Sequence, residues 1–127
     1  MSLKQKENLL KLLHKSKMKK PIFIRVLGDT PKVRILNYLI KSRGLDFSMS
    51  DIARNSNVGW ATLSRLWNSF VQFKIVTLTR NIGKAKLFKL NENNSTVKKL
   101  IDVYKQLLIQ ETENYFSKKA IKKTITV

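Results

Sequence analysis

Apolar residues recur at helical spacing in several stretches of the chain. In residues 3–18, Leu3, Leu9, Leu10, Leu12 and Leu13 form a modest apolar side of one helix. A second helix starts cleanly: Asp29 or Thr30 as N-cap, Pro31 at the first helical position, and Gly44 as the stop. Val33, Leu36, Tyr38, Leu39 and Ile40 are its expected inward residues. In residues 57–70, NVGWATLSRLWNSF, Leu63, Leu66 and Phe70 make a buried stripe, with Trp67 beside it as core or partly buried. The last pattern opens at Asn94 or Ser95. Val97, Leu100, Ile101, Tyr104, Leu107, Leu108, Glu111 and Tyr115 then follow the spacing of one long helix ending near 116.

The connections have their own chemistry. KPIFIRVLGD fits a strand or a short helix, and periodicity leaves both open. LDFSM is extended, and Ser50 can cap a short helix, DIARNS, with Ile52 and Ala53 inward. Asn57 can take the left-handed conformation of a tight turn, and Gly59 can cap the helix that follows. Strands at 75–79 (IVTLT) and 85–90 (AKLFKL) flank the tip RNIGK, where Gly83 supplies the turn of a β-hairpin. The end, SKKAIKKTITV, has no core pattern and reads as a mobile tail.

The predicted fold class is mostly α with a small β-hairpin wing (α+β), a winged helix-turn-helix with an added C-terminal helix. Its expected parts are a basic helical extension (1–20), the winged domain (21–91), a C-terminal helix (92–116) and a basic tail (117–127).

The helix of residues 60–70 has an unusual outward side. In a helix-turn-helix the second helix is held by the first on one face and shows polar and flat groups to a groove on the other. Here Trp60, Ala61, Thr62, Ser64, Arg65 and Asn68 are left outward. Arginine can grip guanine O6 and N7 with two parallel bonds, and asparagine can do the same for adenine N6 and N7. Thr62 and Ser64 suit phosphates or base edges, and the helix N-terminus opened by Gly59 offers free N–H groups to a phosphate. Trp60 could instead pack inward, as a tryptophan often does.

Charge strengthens the groove-reading interpretation. Lys and Arg number 26 against 8 Asp and Glu, a formal +18. A chain that basic has a polyanionic partner, nucleic acid first and an anionic membrane surface second. The excess is +6 in residues 1–20, +9 in 21–90 and +4 in 117–127, but −1 in 91–116. The C-terminal helix is thus the one part not suited to a polyanion.

Other classes lose support. Cysteine is absent, so there is no disulfide frame or zinc ribbon. The lone histidine, His14, sits in a Lys-rich stretch and reads as a surface residue. No apolar run approaches the ~18 residues of a membrane span. The N-terminus lacks the marks of a signal peptide, so a cytoplasmic, nucleoid-associated protein is expected. No paired carboxylates, Ser/His/Asp set, metal cluster or Gly-rich phosphate loop supports an enzyme. Neither a cofactor nor a metal is expected.

LGDTPKVRILNYLI, SDIARNSNVGWATLSRLW and GKAKLFKLNENN together resemble the ArsR/MarR-like winged helix-turn-helix proteins, the small archaeal ones especially, over about residues 22–110. The resemblance implies a recognition helix from Trp60 to Asn68, entered at Gly59. It implies a wing from Arg80 to Lys86, in which Arg80, Asn81, Lys84 and Lys86 touch backbone or minor groove. It also implies a dimerisation helix at 95–116. Metal-sensing members carry cysteine-rich ligand sets, which this chain lacks. The stripe Val97, Leu100, Ile101, Tyr104, Leu107 and Leu108 could pack on its own domain, but its width favours a second copy of the chain.

The function expected is a transcriptional regulator that binds double-stranded DNA as a homodimer. An architectural or plasmid-partition-type nucleoprotein that coats DNA is the alternative. The 20 Lys against 6 Arg favour coating, since lysine acts on phosphate as a point charge. A winged helix serving RNA or a protein partner is the third possibility.

Overall fold

Pro21 ends an extended approach and opens a helix, α1 (Ile22–Leu27), which settles the ambiguous KPIFIRVLGD. The structure, a computed structural model, describes residues 2–5, 8 and 19–125, with side chains through 118. Leu9, Leu10, Leu12, Leu13 and His14 of the expected N-terminal helix lie outside the described residues, and Leu3 is exposed. What makes 22–27 helical is tertiary. Phe23 is fully buried, with its ring 5.6 Å from that of Tyr104 far along the chain.

Helix α2 (Pro31–Lys41) starts as its sequence dictates: Thr30 Oγ1 accepts from the Val33 N–H at 3.2 Å, and Pro31 takes the first turn. Asp29, the other candidate cap, instead meets Lys20 at 2.6 Å and Arg34 at 3.5 Å. The Lys20 hydrogen bond, with both positive charges behind it, holds the Asp29 carboxyl below its ordinary value against a smaller desolvation effect. The most buried residues of α2 are Ile35, Asn37, Leu39 and Ile40, while Val33, Leu36 and Tyr38 are half-buried around them.

Strand β1 (Phe47–Ser48) leads directly into α3 (Met49–Asn55). Ser48, not Ser50, is the cap, its Oγ accepting from Asp51 N–H at 3.1 Å. Asn57 takes φ 54°, in the left-handed region that asparagine tolerates better than most residues. The chain then enters α4 (Trp60–Gln72), followed by β2 (Val76–Ile82) and β3 (Ala85–Leu90), joined through Gly83 at φ 58°. The antiparallel sheet has the order β1–β3–β2.

Helix α5 (Ser95–Ile125) begins at Asn94, whose Oδ1 accepts from Thr96 N–H at 2.8 Å. It continues as one helix through Ile125, past the expected end at 116.

One core joins helices α1 to α5 and the sheet: Phe23, Ile35, Leu39, Ile40, Ile52, Leu63, Phe70, Leu90 and Val97 are its most enclosed members. The stripe expected to serve dimerisation packs in large part within the chain. Val97 and Ile101 are buried in this chain's own core, and Leu100, Tyr104 and Leu107 pack half-buried against it. Helix α1 packs against α5 on that side. Leu108 alone of the six is exposed, at 43%.

Candidate nucleic-acid interface

The outward face of α4 follows from how its inward face is fastened. Leu63, Trp67 and Phe70 are buried, each burial worth about 1.5–3 kcal/mol. The Trp67 indole lies 5.9 Å from Phe70 and meets Phe88 of β3 edge-on at 5.1 Å, tying helix to wing. In front of α4, Val58 N–H donates to Ala53 O at 2.9 Å and closes the turn against α3. Asn55 Nδ2 donates to the Tyr38 hydroxyl at 2.9 Å, so α3 is also pinned to α2.

With the inward side fixed, Gly59, Trp60, Ala61, Ser64, Arg65 and Asn68 are exposed together and Thr62 is half-buried. Trp60 is 55% exposed, which removes the inward-packing alternative. Trp60, Ser64, Arg65 and Asn68 make no side-chain hydrogen bond or ion pair among the described residues. Gly59 caps the helix with no side-chain acceptor, so the first N–H groups of α4 point out unoccupied by protein side chains. Its φ is −63° and a Cβ there would meet nothing within 4 Å. Nothing in the fold demands glycine at that point.

On the wing, Asn81, Lys84 and Lys86 are exposed around the Gly83 turn. Arg80 is exposed but engaged. Its Nε donates to Asp46 Oδ2 at 3.0 Å and its Nη2 to Oδ1 at 3.3 Å, while Thr79 Oγ1 donates to Oδ2 at 2.6 Å. Arg80 first, then Thr79, lowers the Asp46 carboxyl below its ordinary value. The pairing sits at an irregularity in the β2–β3 register between Leu78 and Arg80. Arg80 therefore fastens the wing's root to the segment before β1. Sequence reasoning missed Asp46 because its partner lies 34 positions away.

The second half of α5 carries exposed apolar residues of its own. Leu108, Ile109, Thr112, Glu113 and Phe116 line one shallow groove along the helix. Of these only Leu108 was foreseen. Arg25 of α1 reaches Glu111, between Ile109 and Thr112 in sequence, and ties α1 to this part of α5.

Among the described residues no helix is long and apolar enough to cross a membrane, and no group of His, Cys, Asp and Glu could hold a metal ion.

No family model and no curated protein sequence matches the chain. Solved structures do. A variant of MepR from S. aureus is similar at 16% identity and TM-score 0.57, over 94% of this chain and 91% of that one. The S. aureus MepR–DNA complex is similar at 17% identity and TM-score 0.54, over 94% and 97%. NadR in complex with 4-hydroxyphenylacetate is similar at 13% identity and TM-score 0.51, over 99% and 92%. At these identities the likeness is one of fold, spanning nearly the whole chain: this is a winged helix-turn-helix protein, as the ArsR/MarR resemblance implied.

Proposed function

We propose that the protein is a transcriptional regulator that binds duplex DNA as a homodimer, with α4 in the major groove and the wing against the backbone or minor groove. The observation that carries this is the outward face of α4. Arg65, Asn68, Ser64 and Trp60 are exposed together on a helix whose other side is locked, and no side chain of the described protein uses them. Arg65 and Asn68 read base edges, Thr62 and Ser64 take base edges or phosphate, and Trp60 and Ala61 supply apolar contact. The uncapped start of α4 at Gly59 takes a phosphate, with no Cβ between backbone and DNA. Asn81, Lys84 and Lys86 hold the backbone from the wing, and Arg80 positions that wing through Asp46.

The dimer surface is the far half of α5, around Leu108, Ile109 and Phe116. It lies beyond the self-packed residues and inside the only stretch whose charge balance is negative. A two-fold pairing there would set two recognition helices on one face of the duplex. The fold's likeness to MepR, which has been solved on DNA, supports duplex binding.

Footprinting the purified protein on its own upstream region finds the site. Its affinity relative to random duplex at fixed salt then separates regulation from coating, which the lysine excess favours. Neutralising roughly 6–10 phosphates should cost on the order of 10³–10⁵ in affinity between about 50 and 200 mM salt. A flat salt dependence would overturn the nucleic-acid assignment altogether. Single-stranded RNA competing better than duplex DNA would point to the RNA alternative.

A further inference from the structure

The two ends of the outward face of α4 differ in chemistry. Gly59, Trp60 and Ala61 are exposed at its start, and Thr62, the first hydroxyl, is half-buried. In a helix-turn-helix the N-terminal residues of the second helix are the ones that reach base edges. On α4 that leading part is apolar. Arg65, one turn later, is the only charged side chain of the helix, so charge gives the leading end no preference of its own.

Trp60 dominates that end. It is more than half exposed, and its indole has no hydrogen-bond or ring partner among the described residues. Trp67, on the opposite side of the same helix, is enclosed by Phe70 and Phe88. The fold therefore uses one tryptophan and leaves the other, a large flat apolar surface, in water.

Helix geometry spaces the face. At about 100° per residue, Trp60, Ser64 and Asn68 follow one line, and Ala61 and Arg65 follow the adjacent one. With a rise of about 1.5 Å per residue, Arg65 stands about 7.5 Å along the axis from Trp60, and Asn68 about 12 Å. Base pairs stack about 3.4 Å apart, so Trp60 precedes Arg65 by about two steps, and Asn68 follows Arg65 by about one.

One base edge matches the apolar end. In the major groove guanine, adenine and cytosine present polar atoms, while thymine adds a C5-methyl group to its carbonyl oxygen. The indole and the Ala61 methyl can cover that methyl. A wholly polar edge placed beneath them would lose its water without gaining a partner.

We propose that Trp60 and Ala61 recognise the C5-methyl group of a thymine lying about two base pairs from the guanine that Arg65 takes, which makes sequence preference depend on a DNA methyl group as well as on hydrogen bonds. This rests on the DNA-binding function proposed above.

The test starts by selecting sites from a pool of random duplexes with the full-length protein. Enriched half-sites should carry a T·A pair about two positions from a guanine. Fluorescence anisotropy then follows the selected duplex with each thymine replaced in turn by uracil, which lacks only the methyl. At one position the loss should be about fourfold per half-site, or about fifteenfold for two independent half-sites, the worth of one buried methyl. Trp60→Ala, an exposed position whose folding is checked by thermal denaturation, should bind the thymine and uracil duplexes alike. 5-Methylcytosine at that position, paired with guanine, should bind wild type more tightly than cytosine does, and Trp60→Ala should not distinguish the two. Uracil tolerated at every thymine, or equal weakening of thymine and uracil duplexes by Trp60→Ala, overturns methyl recognition and leaves the DNA function standing. Duplex binding without any enriched sequence overturns base reading as a whole. Failure to bind any duplex overturns the DNA function, and methyl recognition with it.

Discussion

Arg65→Ala separates base reading from phosphate coating more sharply than any other single change. The side chain is exposed and has no acidic partner among the described residues, so its removal should leave stability within about ±0.5 kcal/mol. On a specific duplex, losing a two-bond contact to guanine costs about 1–3 kcal/mol. A homodimer loses it twice, so two independent half-sites give about 2–6 kcal/mol, at least about 30-fold in affinity. On random duplex only a charge disappears, and the slope of log affinity against log salt falls by at most about 0.9 per phosphate released. Arg65→Lys keeps the charge but not the planar fork. It should restore binding to random duplex and leave specific binding impaired. Fluorescence anisotropy on both duplexes at one salt concentration measures these differences, with thermal denaturation as the folding control. If Arg65→Ala weakens both duplexes equally, and Arg65→Lys restores both, then Arg65 touches phosphate and the coating alternative prevails.

Lys84→Ala and Lys86→Ala should weaken every duplex about equally and each lower the salt slope by about 0.9; loss confined to one sequence would contradict a backbone role. Glutamates at Leu108 and Phe116 should convert a dimer to a folded monomer in light scattering, and a double variant that stays dimeric removes the far half of α5 as the interface. Ile101→Glu should instead unfold the domain, at a cost on the order of 4 kcal/mol or more, because the charge enters the core. Asp46 has a lowered folded pKa, so its contribution to stability is present above its ordinary value near 3.8 and fades as pH falls through the lowered one. The thermal advantage of wild type over Asp46→Asn should therefore shrink on acidification; a difference that stays constant with pH refutes the Arg80–Asp46 fastening.

Elements announced by local chemistry were legible in the sequence. Thr30 before Pro31, Asn57 in the turn and Gly83 in the hairpin each meet a steric or hydrogen-bonding need that neighbouring residues define. Residues 22–27 were ambiguous because six mostly apolar residues fit either period, and the decision comes from Phe23 meeting Tyr104 across the fold. Ser48 and Ser50 are equally good caps in isolation; pairing of Phe47 and Ser48 with β3 selects the first. Ile35 escaped the expected inward set, although it is fully buried in α2. The stripe on α5 shows why amphipathicity underdetermines assembly. Periodicity establishes that a face is covered, while whether the cover is α1 or another molecule depends on where that helix runs. Arg80 was legible as a basic wing residue, but its commitment to Asp46 was not, since an ion pair across 34 positions leaves no local mark.

The contrast between the two tryptophans has a practical consequence. Trp60 stands in solvent on the outward face of α4, while Trp67 is 6% exposed against Phe70 and Phe88, its Nε1 without a partner. An indole in water emits to the red, and one enclosed by apolar rings emits to the blue. The chain, whose only tryptophans these are, therefore carries two intrinsic fluorophores with separable emission. Stacking or groove contact at Trp60 would quench the red component as DNA is added. The blue component, from Trp67, would hold until helix and wing come apart. Trp60→Phe leaves the second signal alone, so occupancy of the outward face and integrity of the core can be followed in one cuvette without any label.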